Sequence, residues 1–140
     1  MRILLCLLVF SFSSLASAGS LKIEIIDKVS RVTEYKDEKR VILILLKKNT
    51  QDVISLLMKR FSEKTDEIED RKLVFLLVES PELQEKFRKK YRGFKDRWYG
   101  LIGLDGRLKM SHKYMFTAQQ IFKKVDSMPL RRKEITARNN

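Results

Sequence analysis

Two continuous apolar runs dominate the hydropathy pattern beyond the N-terminus: Val41-Ile-Leu-Ile-Leu-Leu46 and Leu73-Val-Phe-Leu-Leu-Val78. Each is too short for a buried helix and carries β-branched or aromatic residues. Neither alternates, so both faces of each strand must be covered, as in the centre of an α/β sheet. Between them the apolar positions change to helical spacing. Ile54, Leu57, Met58 and Phe61 fall at i, i+3, i+4 and i+7, behind Asn49 and Thr50, which are suited to capping a helix. The acidic stretch from Glu63 to Asp70 reads as a solvated segment. Strand, crossover helix and strand make a βαβ unit, so the two strands are expected to be parallel.

Further along, Ser80 and Pro81 are suited to the N-cap and first position of a helix. Leu83, Phe87 and Tyr91 then repeat every four residues, and Gly93 ends the pattern. Trp98 to Gly103 reads as a third strand. Asp105-Gly106 signals a hairpin turn, after which Leu108 to Met110 should return antiparallel. Thr117 and Gln120 are spaced as a capping box before a helix that buries Ile121, Phe122, Val125 and Met128. Pro129 is expected to stop that helix, leaving 131–140 as a polar tail that frays. Residues 19–39 form an N-terminal extension in which Leu21, Ile23, Ile25 and Val29 mark a candidate edge strand. The order β-α-β-α-β-β-α over residues 40–130 is that of an α/β, thioredoxin-like domain with a mixed β-sheet and flanking helices.

The first 18 residues follow a third pattern. Met1-Arg2 is a minimal basic start, Ile3 to Phe12 is apolar apart from Ser11, and Ala16-Ser17-Ala18 is a small-residue site. That succession predicts a signal peptide cleaved between Ala18 and Gly19, and a secreted or periplasmic mature protein. The apolar run is about half the roughly 20 residues a membrane span needs, and no later stretch approaches that length. Cys6, the only cysteine, lies inside the run. The mature chain is therefore expected to lack thiol redox chemistry and any cysteine-based zinc site.

Three segments carry a more specific likeness: Leu101-Ile-Gly-Leu-Asp-Gly-Arg-Leu-Lys109, Thr117-Ala-Gln-Gln-Ile-Phe122 and Val125-Asp-Ser-Met-Pro-Leu-Arg-Arg-Lys-Glu134. With them the chain resembles the domain-of-unknown-function family numbered 4174, also called the DUDES domain, a peroxiredoxin-like module. The likeness covers Arg40 to Glu134 and is sharpest from Tyr99 onward. It implies a thioredoxin-like fold, with bacterial members that are short and exported, and relatives in sushi-repeat-containing extracellular proteins. It implies no catalytic residues. Thioredoxin-like enzymes carry a reactive cysteine just after the first core strand, where this chain reads Lys47-Lys48-Asn49-Thr50-Gln51. The proline that usually precedes the third strand is replaced by Arg97.

Charge placement is the remaining signal. Residues 19–85 hold 13 Lys and Arg against 14 Asp and Glu, whereas residues 86–140 hold 16 against 4. The densest part comprises Lys86, Arg88, Lys89, Lys90, Arg92, Lys95 and Arg97, interleaved with Phe87, Tyr91, Phe94 and Trp98. Arg131 and Arg132 form a second basic cluster. A one-sided excess of this size attracts polyanions through counterion release. The candidate binding residues are therefore Lys86, Arg88, Lys89, Arg92, Lys95, Arg97, Arg131 and Arg132. The expected partners are acidic polysaccharide, an anionic envelope surface or an acidic protein. His112, the sole histidine, is expected in a solvent-facing loop without a catalytic partner. The carboxylates at 63–70 lack calcium-loop spacing, so no metal or other cofactor is expected. Two alternatives to a non-enzymatic binding module stay open: a peroxiredoxin-related enzyme or redox helper without its own cysteines, and a structural envelope or matrix component that self-associates through a sheet edge.

Overall fold

A computed structural model of the chain describes residues 21–140; the expected signal peptide and its Ala18–Gly19 cleavage position lie outside them. The first strand, β1 (Ile23–Ile26), is followed by the short helix α1 (Ser30–Glu34) and by β2 (Arg40–Leu45). Then come α2 (Thr50–Phe61), a 3₁₀ turn at Ser62–Lys64, α3 (Thr65–Asp70) and β3 (Leu73–Val78). Helix α4 (Pro81–Lys90) and a second 3₁₀ turn (Arg92–Phe94) lead to β4 (Tyr99–Ile102) and β5 (Leu108–His112). The chain ends in α5 (Ala118–Asp126) and α6 (Pro129–Asn139).

The strands form one open sheet in the order β1-β3-β2-β4-β5. β3 pairs parallel with both β1 and β2, while β2–β4 and β4–β5 are antiparallel. The result is a mixed α/β sheet with helices on both faces, the thioredoxin-like arrangement expected from the element order. The candidate edge strand is thus part of the same sheet as the core, not an appendage to it.

Alternation along the two central strands divides the core. Ile42, Ile44, Phe75 and Leu77 turn to the face covered by Val53, Leu57 and Phe61 of α2, Ile68 of α3, and Ile121 and Val125 of α5. Val41, Leu43, Leu45, Val74, Leu76 and Val78 turn to the other face, under Val32 of α1, Leu83 and Phe87 of α4, and Tyr91 and Phe94. Every residue of both strands is buried, as their unbroken apolar runs require.

Local chemistry sets the helix starts. Asn49 Oδ1 accepts from the Gln51 N–H at 2.8 Å, and Ser80 Oγ accepts from the Leu83 N–H at 3.3 Å. Thr117 and Gln120 make the expected reciprocal capping box at 3.1 and 2.9 Å. Three expectations need correction. The inward stripe of α2 is Val53, Leu57 and Phe61, with Met58 exposed, because the helix is rotated by about one position from the predicted face. His112 is not in a loop; it closes β5, and its Nδ1 accepts from the Tyr114 N–H at 3.1 Å. Pro129 ends α5 only by opening α6 at its first turn, so 131–138 is helical and not a frayed tail.

Candidate polyanion-binding surface

Helix α4 buries Leu83, Gln84 and Phe87. The Gln84 amide donates to the Leu46 and Val78 carbonyls at 3.0 Å each, which ties α4 to the ends of β2 and β3. With one face fixed by these contacts, Lys86 and Lys89 are exposed and Arg88 is half-buried. The chain then turns through Tyr91, whose ring stacks 6.4 Å from Phe87, and through Phe94, which is fully buried. Ser111 Oγ donates to the Gly93 carbonyl at 2.9 Å and pins this turn to β5. Arg92 and Lys95 are left exposed and Arg97 half-buried. Six predicted basic residues thus lie on one continuous segment, and none of them forms an ion pair among the described residues.

Trp98 adds an anchor that links this segment to another. The Arg88 guanidinium lies 4.8 Å from the indole centroid, and the Lys47 ammonium 5.5 Å from it. Lys47 follows β2, and Trp98 reaches it because the Leu45 N–H donates to the Trp98 carbonyl at 2.7 Å. Cation–π contacts at such half-exposed sites contribute about 0.5–1 kcal/mol each and tie both cations to one ring. Lys47 was not among the predicted binding residues. Its signal was present only as the basic pair Lys47-Lys48, and its proximity to Trp98 depends on the antiparallel β2–β4 pairing.

The position after β2, where thioredoxin-like enzymes hold a thiol, is a shallow polar depression of about 370 Å³ lined by Leu46, Lys47, Lys48, Asn49, Thr50 and Glu79. Thr50 Oγ1 donates to Glu79 Oε1 at 2.6 Å, and Asn49 caps α2. No side chain there is a strong nucleophile. His112 packs 5.9 Å from Tyr114 and 6.3 Å from Phe116, ring to ring. Among the described residues no group of three or more His, Cys, Asp or Glu is arranged to hold a metal. No helix there is long and apolar enough to cross a membrane.

Arg131 requires a correction. It is 3% exposed and sits at the opposite end of β2, far from the α4 segment. Its guanidinium donates to Asp70 Oδ2 at 2.6 Å, Asp126 Oδ1 at 3.2 Å, Glu134 Oε2 at 3.3 Å and the Asp70 carbonyl at 3.0 Å. Buried, and with four of its five N–H donors bonded within its own chain, it is not available to an external polyanion. Two neighbours extend the network. Arg71 pairs with Asp126 at 2.9 Å, and Arg40, with no exposed surface, pairs with Glu134 at 3.1 Å. The Arg131 hydrogen bond holds the Asp70 carboxyl below its ordinary value. Burial opposes ionisation of Asp126 and Glu134, but their arginine partners outweigh it and lower both. Arg132, one position on, is exposed and forms no ion pair among the described residues.

A family model described as a domain of unknown function, DUF4174, matches residues 31–134. That range starts at the second residue of α1, nine residues ahead of the start expected from sequence, and ends at the Glu134 of the arginine network. No curated protein and no solved structure matches the chain.

Proposed function

This chain belongs to the DUF4174 family, whose activity is unassigned, and from that premise we propose that it is an exported, non-enzymatic module that binds acidic partners or polyanions. The observation that carries the reading is the run of cations Lys86, Arg88, Lys89, Arg92, Lys95 and Arg97 on one continuous segment, interrupted only by Asp96 among its exposed charges. Among the described residues these cations form no ion pair, and Lys47 joins Arg88 at the Trp98 ring. Cations that pair with their own carboxylates, as Arg131 does, gain little from an outside anion. Unpaired ones keep their counterions and can release them on binding. Arg132 belongs to a different end of the molecule and is a secondary contact at most.

The test compares retention of the protein and of an Arg88→Gln, Lys89→Gln, Arg92→Gln variant on heparin over a salt gradient. The wild type should be retained at low salt. The variant should elute earlier, with a salt dependence flatter by about three counterions' worth of slope. Elution at the same salt, or no retention of the wild type, makes the charge a solubility device. Export is tested separately. Native protein should begin at Gly19, within two residues, on N-terminal sequencing; recovery of Met1 or Arg2 would sink that part alone.

A further inference from the structure

The two outer strands of the sheet differ in how their free edges are guarded. β5 is bulged at Lys109, since Leu101 pairs with Met110 but Ile102 with Leu108. β1 runs in unbroken parallel register from Ile23 opposite Phe75 to Ile26 opposite Val78, with neither proline nor glycine. Among the described residues no strand pairs with its other side. The Phe75 N–H donates to the Lys22 carbonyl at 3.1 Å. By alternation the N–H and C=O groups of Leu21, Ile23 and Ile25 therefore point away from β3, along the open edge. Their side chains share the α2 face of the sheet. Leu21 and Ile23 pack on the core cluster beneath that helix, and Ile25 is 50% exposed. α2 enlarges this apolar patch. Arg60 donates to the Met115 and Phe116 carbonyls at 3.2 and 3.0 Å, which turns that flank of the helix toward β4. The opposite flank, with Ile54 and the exposed Met58, lies on the β1 side. On the other face of β1, the Glu24 carboxylate accepts from Arg31 Nη2 and from the Tyr35 hydroxyl at 2.9 Å each, and Lys22 is exposed.

We propose that β1 is a dimer interface: two copies of the chain pair antiparallel along their β1 edges, about a two-fold axis at Ile23, and join their sheets into one. Self-complementarity picks a second copy as the occupant. With Ile23 opposite Ile23 of the second copy, Leu21 falls opposite Ile25 and Lys22 opposite Glu24, on both sides of the axis. The outward N–H and C=O groups of Leu21, Ile23 and Ile25 then meet as hydrogen-bonded pairs, and the exposed Ile25 side chain is covered. Glu24 is already oriented by Arg31 and Tyr35 and keeps lone pairs for the Lys22 ammonium. Neighbouring registers lose this match. Centring on Glu24 sets the two Glu24 carboxylates opposite each other. Centring on Ile25 sets Lys22 opposite Lys28, and Ile23 opposite Asp27. The pairing uses none of the α4 cations, so it stands independently of polyanion binding.

Sedimentation of the native protein at physiological ionic strength, where repulsion between the basic chains is screened, tests this. The mass should rise with concentration from one chain toward two and stop there. Residue-resolved hydrogen exchange should show the Ile23 and Ile25 amides gaining protection as concentration rises. The Glu24 and Ile26 amides, bonded to β3, should be protected throughout. Ile25→Lys should weaken dimerisation about tenfold or more and leave the monomer's urea midpoint nearly unchanged, because the site is exposed. Lys22→Glu, which would face Glu24 of the second copy, should weaken it similarly; Lys28→Gln, outside the paired segment, should not. Zero-length carbodiimide coupling in a mixture of ¹⁵N-labelled and unlabelled protein should join Lys22 of one copy to Glu24 of the other. A protein that stays monomeric at every concentration overturns the proposal, whether its edge is open or covered by the residues preceding Leu21. So does an assembly that keeps growing past two chains, a dimer that Ile25→Lys and Lys22→Glu leave unchanged, or one whose Ile23 and Ile25 amides exchange at the monomer's rate.

Discussion

At the scale of single residues, two adjacent arginines have opposite fates. Arg131 is buried among Asp70, Asp126 and Glu134, while Arg132 is exposed on the next position of α6. Removing Arg131 would leave three carboxylates, and the Asp70 carbonyl, without their shared donor. Arg131→Ala should destabilise the fold by on the order of 3 kcal/mol, the usual cost of breaking a buried pair on one side. Arg132→Ala should change stability by less than about 0.5 kcal/mol. Urea melts of the two variants check this, and equal midpoints would show that the network contributes nothing net. The sequence run Arg131-Arg132-Lys133 gives no sign of the difference. Arg131 finds Asp70 61 residues away, and only the docking of α6 against the α3–β3 junction selects one of the three cations for burial.

At the scale of elements, the central strands, the βαβ unit, α4, the hairpin and the capping box were all legible, because each rests on a local rule: an unbroken apolar run, a four-residue repeat, a turn dipeptide, a cap. The misread elements are those where a local rule has two outcomes. Proline stops the helix before it and starts the helix after it; at Pro129 it does both, so the apparent tail is α6. In α2 two overlapping stripes share Leu57 and Phe61, and tertiary packing chose Val53 over Met58 to complete the buried one. The basic strip was legible as composition, but its exposed geometry depends on close approach between elements. A Cβ at Gly100 would run into the Phe94 ring, and one at Gly93 would lie 2.7 Å from Leu108. These two glycines let the Arg92–Phe94 turn sit directly on the β4–β5 hairpin, which is what turns Arg92 and Lys95 outward.

At the scale of the whole molecule, carboxylates gather with Arg40, Arg71 and Arg131 near the start of the central parallel strands. This pairing dictates how stability responds to acid. Asp70, Asp126 and Glu134 all titrate below their ordinary values of 3.8, 3.8 and 4.5 when folded. Asp105 does too, where burial is outweighed by the Lys109 ammonium and the Arg107 N–H. A depressed folded value means that the unfolded chain takes up protons first as pH falls. The stabilisation is therefore complete above the unfolded values and is lost as pH drops through the folded ones. Protonation also strips the buried Arg131 of its counter-charges while the net positive charge of +12 at neutral pH rises further, so self-repulsion acts in the same direction. The urea midpoint should stay nearly flat from neutral pH to about 5 and fall steeply below about 4. In Asp126→Asn the midpoint should be lower at neutral pH and the fall shallower, because one depressed carboxylate has been removed. A wild-type midpoint that holds steady to about pH 3, or an Asp126→Asn profile parallel to the wild type, would mean that the arginine–carboxylate network does not couple protonation to folding.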